Sequence, residues 1–141
     1  MIWSRLVTTV GLVGILAACS SSSDDGGPCV QRKGSFIAKY SQRSGTCGNS
    51  AETVLNIDKQ PTSVDAPCTG SISYTADNCQ VTYESACPND GAVKGGRLSI
   101  TGHSKWNSDG TSGTATEQWV LSDASGKTLC QSTYDVTVTK Q

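Results

Sequence analysis

The sequence holds one histidine, one phenylalanine and one methionine among 141 residues, and these scarcities narrow the chemistry open to it. With His103 alone, a Ser-His-Asp or Cys-His arrangement would have to use that residue, and so would most zinc sites. No nucleophile elbow or H-E-x-x-H motif surrounds it, so a solvated surface histidine is expected. No two cysteines stand at C-x-x-C spacing, which leaves no zinc knuckle or thioredoxin-like redox pair. Lysine and arginine are scattered and the formal net charge is −1, so neither nucleic acid nor an acidic membrane surface is an expected partner. The glycine clusters at 95–96 and 110–113 open no helix that could cradle phosphate. Asp90-Gly91 and Asp109-Gly110 lack the series of oxygen ligands of a calcium loop and read as turns. No metal or cofactor is expected.

What is present begins with the uncharged, mostly apolar run Leu6 to Ala18, preceded by Arg5. It is too short to span a bilayer and reads as a signal-peptide core. The following Leu16-Ala17-Ala18-Cys19 resembles the lipobox of bacterial lipoproteins. The resemblance covers about the first twenty residues. It implies that residues 1–18 are removed, that the Cys19 thiol carries diacylglycerol, and that the new amine is often acylated. Two or three acyl chains make a stable membrane attachment where one does not. Ser20 in place of aspartate implies the outer membrane. Ser20 to Pro28, rich in serine, aspartate and glycine, reads as a solvated tether with ends on the order of 17 Å apart. Cys19 and this stretch form the anchor and spacer of a single domain at 29–141.

Setting Cys19 aside leaves Cys29, Cys47, Cys68, Cys79, Cys87 and Cys130. An even set in an exported chain reads as three disulfides in an oxidising compartment. They would brace a core that is lean in apolar residues.

The domain alternates apolar with Ser/Thr-rich positions and carries almost no helical periodicity, which predicts strands near 34–42, 52–59, 70–76, 79–86, 97–106, 113–121 and 128–138. A two-residue loop at Asp77-Asn78 would pair Ala76 with Cys79, Tyr74 with Val81, Ile72 with Tyr83 and Gly70 with Ser85, and so bring Cys68 opposite Cys87. That disulfide is expected; the pairing of the other four cysteines stays open. A four-residue loop Ser108 to Thr111 would pair Trp106 with Gly113, Ser104 with Ala115, Ile100 with Trp119 and Leu98 with Leu121. A second such loop, Asp123 to Gly126, would pair Trp119 with Cys130, Ala115 with Tyr134 and Gly113 with Val136. The fold class is therefore all-β: an antiparallel meander of seven or eight strands closing into a small barrel or sandwich.

Glu117 falls on the apolar face in this register, opposite Gly102 and Ser132. A charge there is desolvated unless it is paired or lines a wet cavity. A bulge that turns it outward, or a place at the rim, is the simplest accommodation. A cavity walled by Glu117, Trp119 and Tyr134 would instead hold a small ligand. Trp106 either caps the core over Gly113 or offers an exposed ring to a sugar. Asp135 falls on the opposite face, which weakens an enzyme built on Glu117 and Asp135. The sequence thus points to a lipid-anchored envelope protein that works by binding or structural contact without catalysis. Its alternatives are a small-molecule binder, and an inhibitor presenting loop 88–95 to an extracellular protein.

Overall fold

Strand boundaries follow the alternation. The computed structural model describes residues 27–48, 51–89 and 93–141. The leader, Cys19, the tether as far as Gly26 and the Asp90-Gly91 turn lie outside the described residues. Among the described residues seven strands form: β1 (Gly34–Gly45), β2 (Ala51–Ile57), β3 (Thr69–Tyr74), β4 (Gln80–Pro88), β5 (Arg97–Trp106), β6 (Ser112–Ser122) and β7 (Thr128–Lys140). In β7, Ser132, Tyr134, Val136 and Val138 are buried while the residues between them are not. This period of two is what places one face inside.

The strands make one antiparallel sheet in the order β2-β1-β7-β6-β5-β4-β3. β3 to β7 form the meander, and the β1–β2 hairpin is added beside β7. The sheet curls into a half-barrel: Phe36, Ala38, Tyr40, Tyr134, Val136 and Val138 fill its concave side, with Leu55, Ile57, Trp106, Ala115 and Trp119 packed against them. Among the described residues β2 and β3 do not pair, so the sheet keeps two edges.

Two expected registers hold. β3 and β4 pair Ile72 with Tyr83 and Gly70 with Ser85, and β5 and β6 pair Ile100 with Trp119 and Trp106 with Gly113. The β3–β4 turn is wider than expected: its closing bond is Thr75 N to Gln80 O at 3.1 Å, and Ala76 and Cys79 stay unpaired in the ladder. Cys79 is instead bonded to Cys29, and Asp77 accepts the Cys79 N–H at 3.0 Å.

The β6–β7 register is corrected by two residues. Trp119 faces Ser132, Ala115 faces Val136 and Gly113 faces Val138, so Glu117 faces Tyr134 and not Ser132. One step comes from a shorter turn, closed by Asp123 N to Lys127 O at 3.0 Å with Gly126 at φ 85°. The other comes from a bulge, since Leu121 pairs with Cys130 but Ser122 with Thr128. Leu129, left over, is an exposed apolar residue. Two one-residue steps add to an even shift, so every side chain keeps its expected face.

All three disulfides sit at strand ends. Cys68–Cys87 forms as the hairpin register requires. Cys29–Cys79 fastens the segment before β1 to the β3–β4 turn, and Cys47–Cys130 fastens the chain after β1 to β7.

Candidate functional site

Glu117 lies at the middle of β6 on the concave side and is only 6% exposed. The expectation that a bulge or a rim position would turn it outward is overturned: β5, β6 and β7 run through this point in unbroken register. The carboxylate stays inside because two donors meet it. Trp119, two residues along the same strand and so on the same face, donates Nε1–H to Oε2 at 2.7 Å. The Tyr83 hydroxyl donates to Oε1 in a short hydrogen bond.

Tyr83 reaches Glu117 because Gly102 stands between them in the sheet, paired with Tyr83 on one side and Glu117 on the other. A Cβ on Gly102 would lie 2.2 Å from Tyr83 Cζ, so the ring occupies the space of the missing side chain. The other side of Glu117 is aromatic. Trp119 and Tyr134 have ring centroids 4.8 Å apart, and Tyr40 approaches both at 5.7 and 6.3 Å.

Burial pushes the Glu117 carboxyl above the usual glutamate range, opposed by the hydrogen bonds from Tyr83 and Trp119. Burial and then the Glu117 charge raise the phenols of Tyr40 and Tyr83. Both phenols are therefore held protonated, and that of Tyr83 donates to Glu117. A carboxylate whose two oxygens are each engaged by a fixed donor is suited to holding strands together; action as a base would require breaking one of these bonds.

The structure brings three of the four candidate residues together, Glu117, Trp119 and Tyr134. Trp106 is apart, at the end of the half-barrel: its ring packs on Gly113, where an added Cβ would lie 2.8 Å from Cδ2, and meets Phe36 edge-on at 5.7 Å. It also carries the Arg32 guanidinium, 4.9 Å above its ring, with Tyr74 at 5.7 Å. Arg32 is 4% exposed and has a guanidinium pKa lowered by burial. It donates to Asn78 O at 2.6 Å and to Gln60 Oε1 at 3.2 Å. This cluster seals one end of the sheet.

The polar face is different. His103 is exposed, with Nδ1 3.1 Å from Thr82 Oγ1. It borders two open depressions, of about 470 and 370 Å³, whose linings include several Ser and Thr of the outer face, and Glu117 lines neither. Asp135 faces outward and pairs with Arg43. Among the described residues no three of His, Cys, Asp and Glu group as a metal site needs.

Sequence reasoning missed Tyr83, Tyr40 and Arg32. Tyr83 had a usable signal, a large ring facing a glycine across strands, the same rule that pairs Trp106 with Gly113. Arg32 had none, because it precedes β1 in an irregular segment. Compared with known proteins, the chain matches no family model, no curated protein and no solved structure.

Proposed function

We propose that this chain is an exported bacterial envelope lipoprotein, attached by acyl chains at Cys19 and displaying a disulfide-braced β-domain that works by contact and not by catalysis. The observation that carries this reading is the use of cysteine. Six of the seven cysteines pair with one another in three disulfides, the pattern of an oxidising compartment. The seventh is the residue in lipobox position. The non-catalytic reading draws support from Glu117, whose two oxygens are spent on Tyr83 and Trp119, and from Asp135, which lies on the other face in an ion pair.

The test is metabolic labelling with an alkyne-bearing palmitate in a bacterial host, followed by membrane fractionation. The full chain should take up label and sediment with membranes. Cys19→Ala should lose the label, and an inhibitor of the lipoprotein signal peptidase should leave a longer precursor. A wild-type chain that is unlabelled and soluble would overturn the anchoring.

A further inference from the structure

The sheet has an odd number of strands, and that has a consequence for its edges. In the order β2-β1-β7-β6-β5-β4-β3 with every neighbour antiparallel, β2 and β3 run in the same direction. The sheet cannot close on itself by the antiparallel pairing it uses everywhere else, and among the described residues β2 and β3 are left as its two edges.

The two edges are not equivalent. β3 is guarded: the chain before it carries Pro61 and Pro67, Tyr74 OH bonds to Pro61 O at 2.5 Å, and Cys68 is tied to Cys87. Gly70 at φ 155° sits so close to β4 that a Cβ would lie 2.0 Å from Glu84 O. β2 has few of the devices that blunt an edge, and its one charge, Glu52, is engaged by Lys39 of β1 at 3.4 Å. Residues 51–57, AETVLNI, contain no proline, lysine or glycine, and the register with β1 runs without a bulge. Alternate backbone N–H and C=O groups of β2 therefore face outward as a template for another strand. At its centre Val54 is 53% exposed, one of three exposed large apolar residues among the described residues.

We infer that the β2 edge binds a second copy of this chain, β2 against β2 in antiparallel register about Val54. The choice of occupant follows from the strand itself. Centred on Val54, Val54 meets the partner's Val54, Thr53 meets the partner's Leu55, and Glu52 meets the partner's Asn56. The only charge in the strand is thereby kept from its own image, and the one exposed apolar side chain is covered by its like. Leu55 and Ile57, which already continue the apolar face, extend it across the junction. A seven-residue strand pair lies below the area of a stable interface, so the association is weak, roughly micromolar or poorer. A two-fold axis at Val54 points the two chains in opposite directions, with their Cys29 ends at opposite ends of the pair.

Cysteine cross-linking of the full chain tests the register. Residues directly opposite in such a pair have Cα atoms about 4.5–5.5 Å apart, within disulfide reach. Val54→Cys should give a dimer at twice the chain mass on a non-reducing gel. Thr53→Cys or Leu55→Cys alone should not, while the two mixed should. A dimer from Thr53→Cys alone, or an adduct of Val54→Cys only with another protein, would overturn the proposal. Sedimentation of the unmodified chain supplies a readout free of added thiols. Self-association should weaken at least tenfold in Val54→Lys and be unchanged in Leu129→Lys, and a wild-type chain monomeric at about 100 μM would overturn it.

Discussion

Replacing Tyr83 by phenylalanine tests the buried carboxylate most directly. The ring remains over Gly102, so packing is conserved and only the hydroxyl that donates to Glu117 Oε1 is lost. A hydrogen bond to a charged group contributes about 1.5–3 kcal/mol and a neutral one about 1 kcal/mol. Near pH 8, where glutamate is ordinarily ionised, the variant should lose about 2 kcal/mol, or roughly 8 °C in Tm for a domain of this size. In acid, with Glu117 protonated, the loss should fall to about 1 kcal/mol. The wild-type pH dependence has a fixed sign. Burial raises the folded value of Glu117, so the fold favours the protonated acid. Its stabilising effect is complete below the ordinary glutamate range and declines as pH rises through the raised folded value. Removing one of the two opposing hydrogen bonds raises that value further and enlarges the decline. Thermal unfolding followed by near-ultraviolet circular dichroism, with disulfides intact, measures both. A variant as stable as wild type at pH 8, or equally weakened at both pH values, would refute the reasoning.

Glu117→Gln should abolish the part of the pH dependence just described while keeping the fold, because an amide can accept from Trp119 and donate to Tyr83; a retained decline in the same window, read from urea midpoints, would place its source elsewhere. Gly102→Ala should cost about 1–3 kcal/mol or more by overpacking, since its Cβ would lie 2.2 Å from Tyr83 Cζ; the cost should shrink in a Tyr83→Ala background, read as a double-mutant cycle. Removing disulfides pairwise should destabilise in order of loop length, with Cys47→Ala/Cys130→Ala, separated by 83 residues, costing about 4.5 kcal/mol on the chain-entropy account and Cys68→Ala/Cys87→Ala, separated by 19, about 3 kcal/mol. Equal urea midpoints for the two would count against that account.

The short turns explain which pairings were legible in the sequence. Ser108 to Thr111 closes a turn with Asn107 N bonded to Ser112 O at 3.0 Å, as expected, and the whole β5–β6 ladder follows from it. Asp77-Asn78 gave the right ladder through a wider turn, because widening a turn symmetrically leaves the register alone. Asp123 to Lys127 could not be read the same way. The Asp123 carboxylate accepts from the N–H groups of Ser125 and Lys127 at 2.9 and 3.0 Å, which draws the turn one residue tighter, and the bulge at Leu129 has no marker in the sequence. The fate of Glu117 was hidden for a different reason. Its side was correctly assigned, but its accommodation depends on Tyr83, two strands away across Gly102; the cue of a large ring facing a glycine becomes readable only with the β4–β5 register, which no short turn announces.

The length of the β4–β5 link also gives Glu117 a structural reason to be buried. β3–β4, β5–β6 and β6–β7 are each joined by a short hydrogen-bonded turn that fixes their register, whereas β4 and β5 are joined by the longer link 89–96, closed by Asn89 N to Gly96 O at 2.8 Å. The buried face already disfavours a one-residue slip, which would turn its apolar side chains outward, but a slip of two leaves every side chain on its own face. The Tyr83–Glu117 hydrogen bond does discriminate. Slipping β4 by one residue would turn Tyr83 to the outside and leave a buried carboxylate with a donor missing, at a cost of several kcal/mol. Slipping it by two would take the ring away from Gly102, the position where a large ring lies flat against the sheet without meeting a Cβ. A charge placed on the apolar side thus adds a register constraint at a junction whose link is longer than a tight turn.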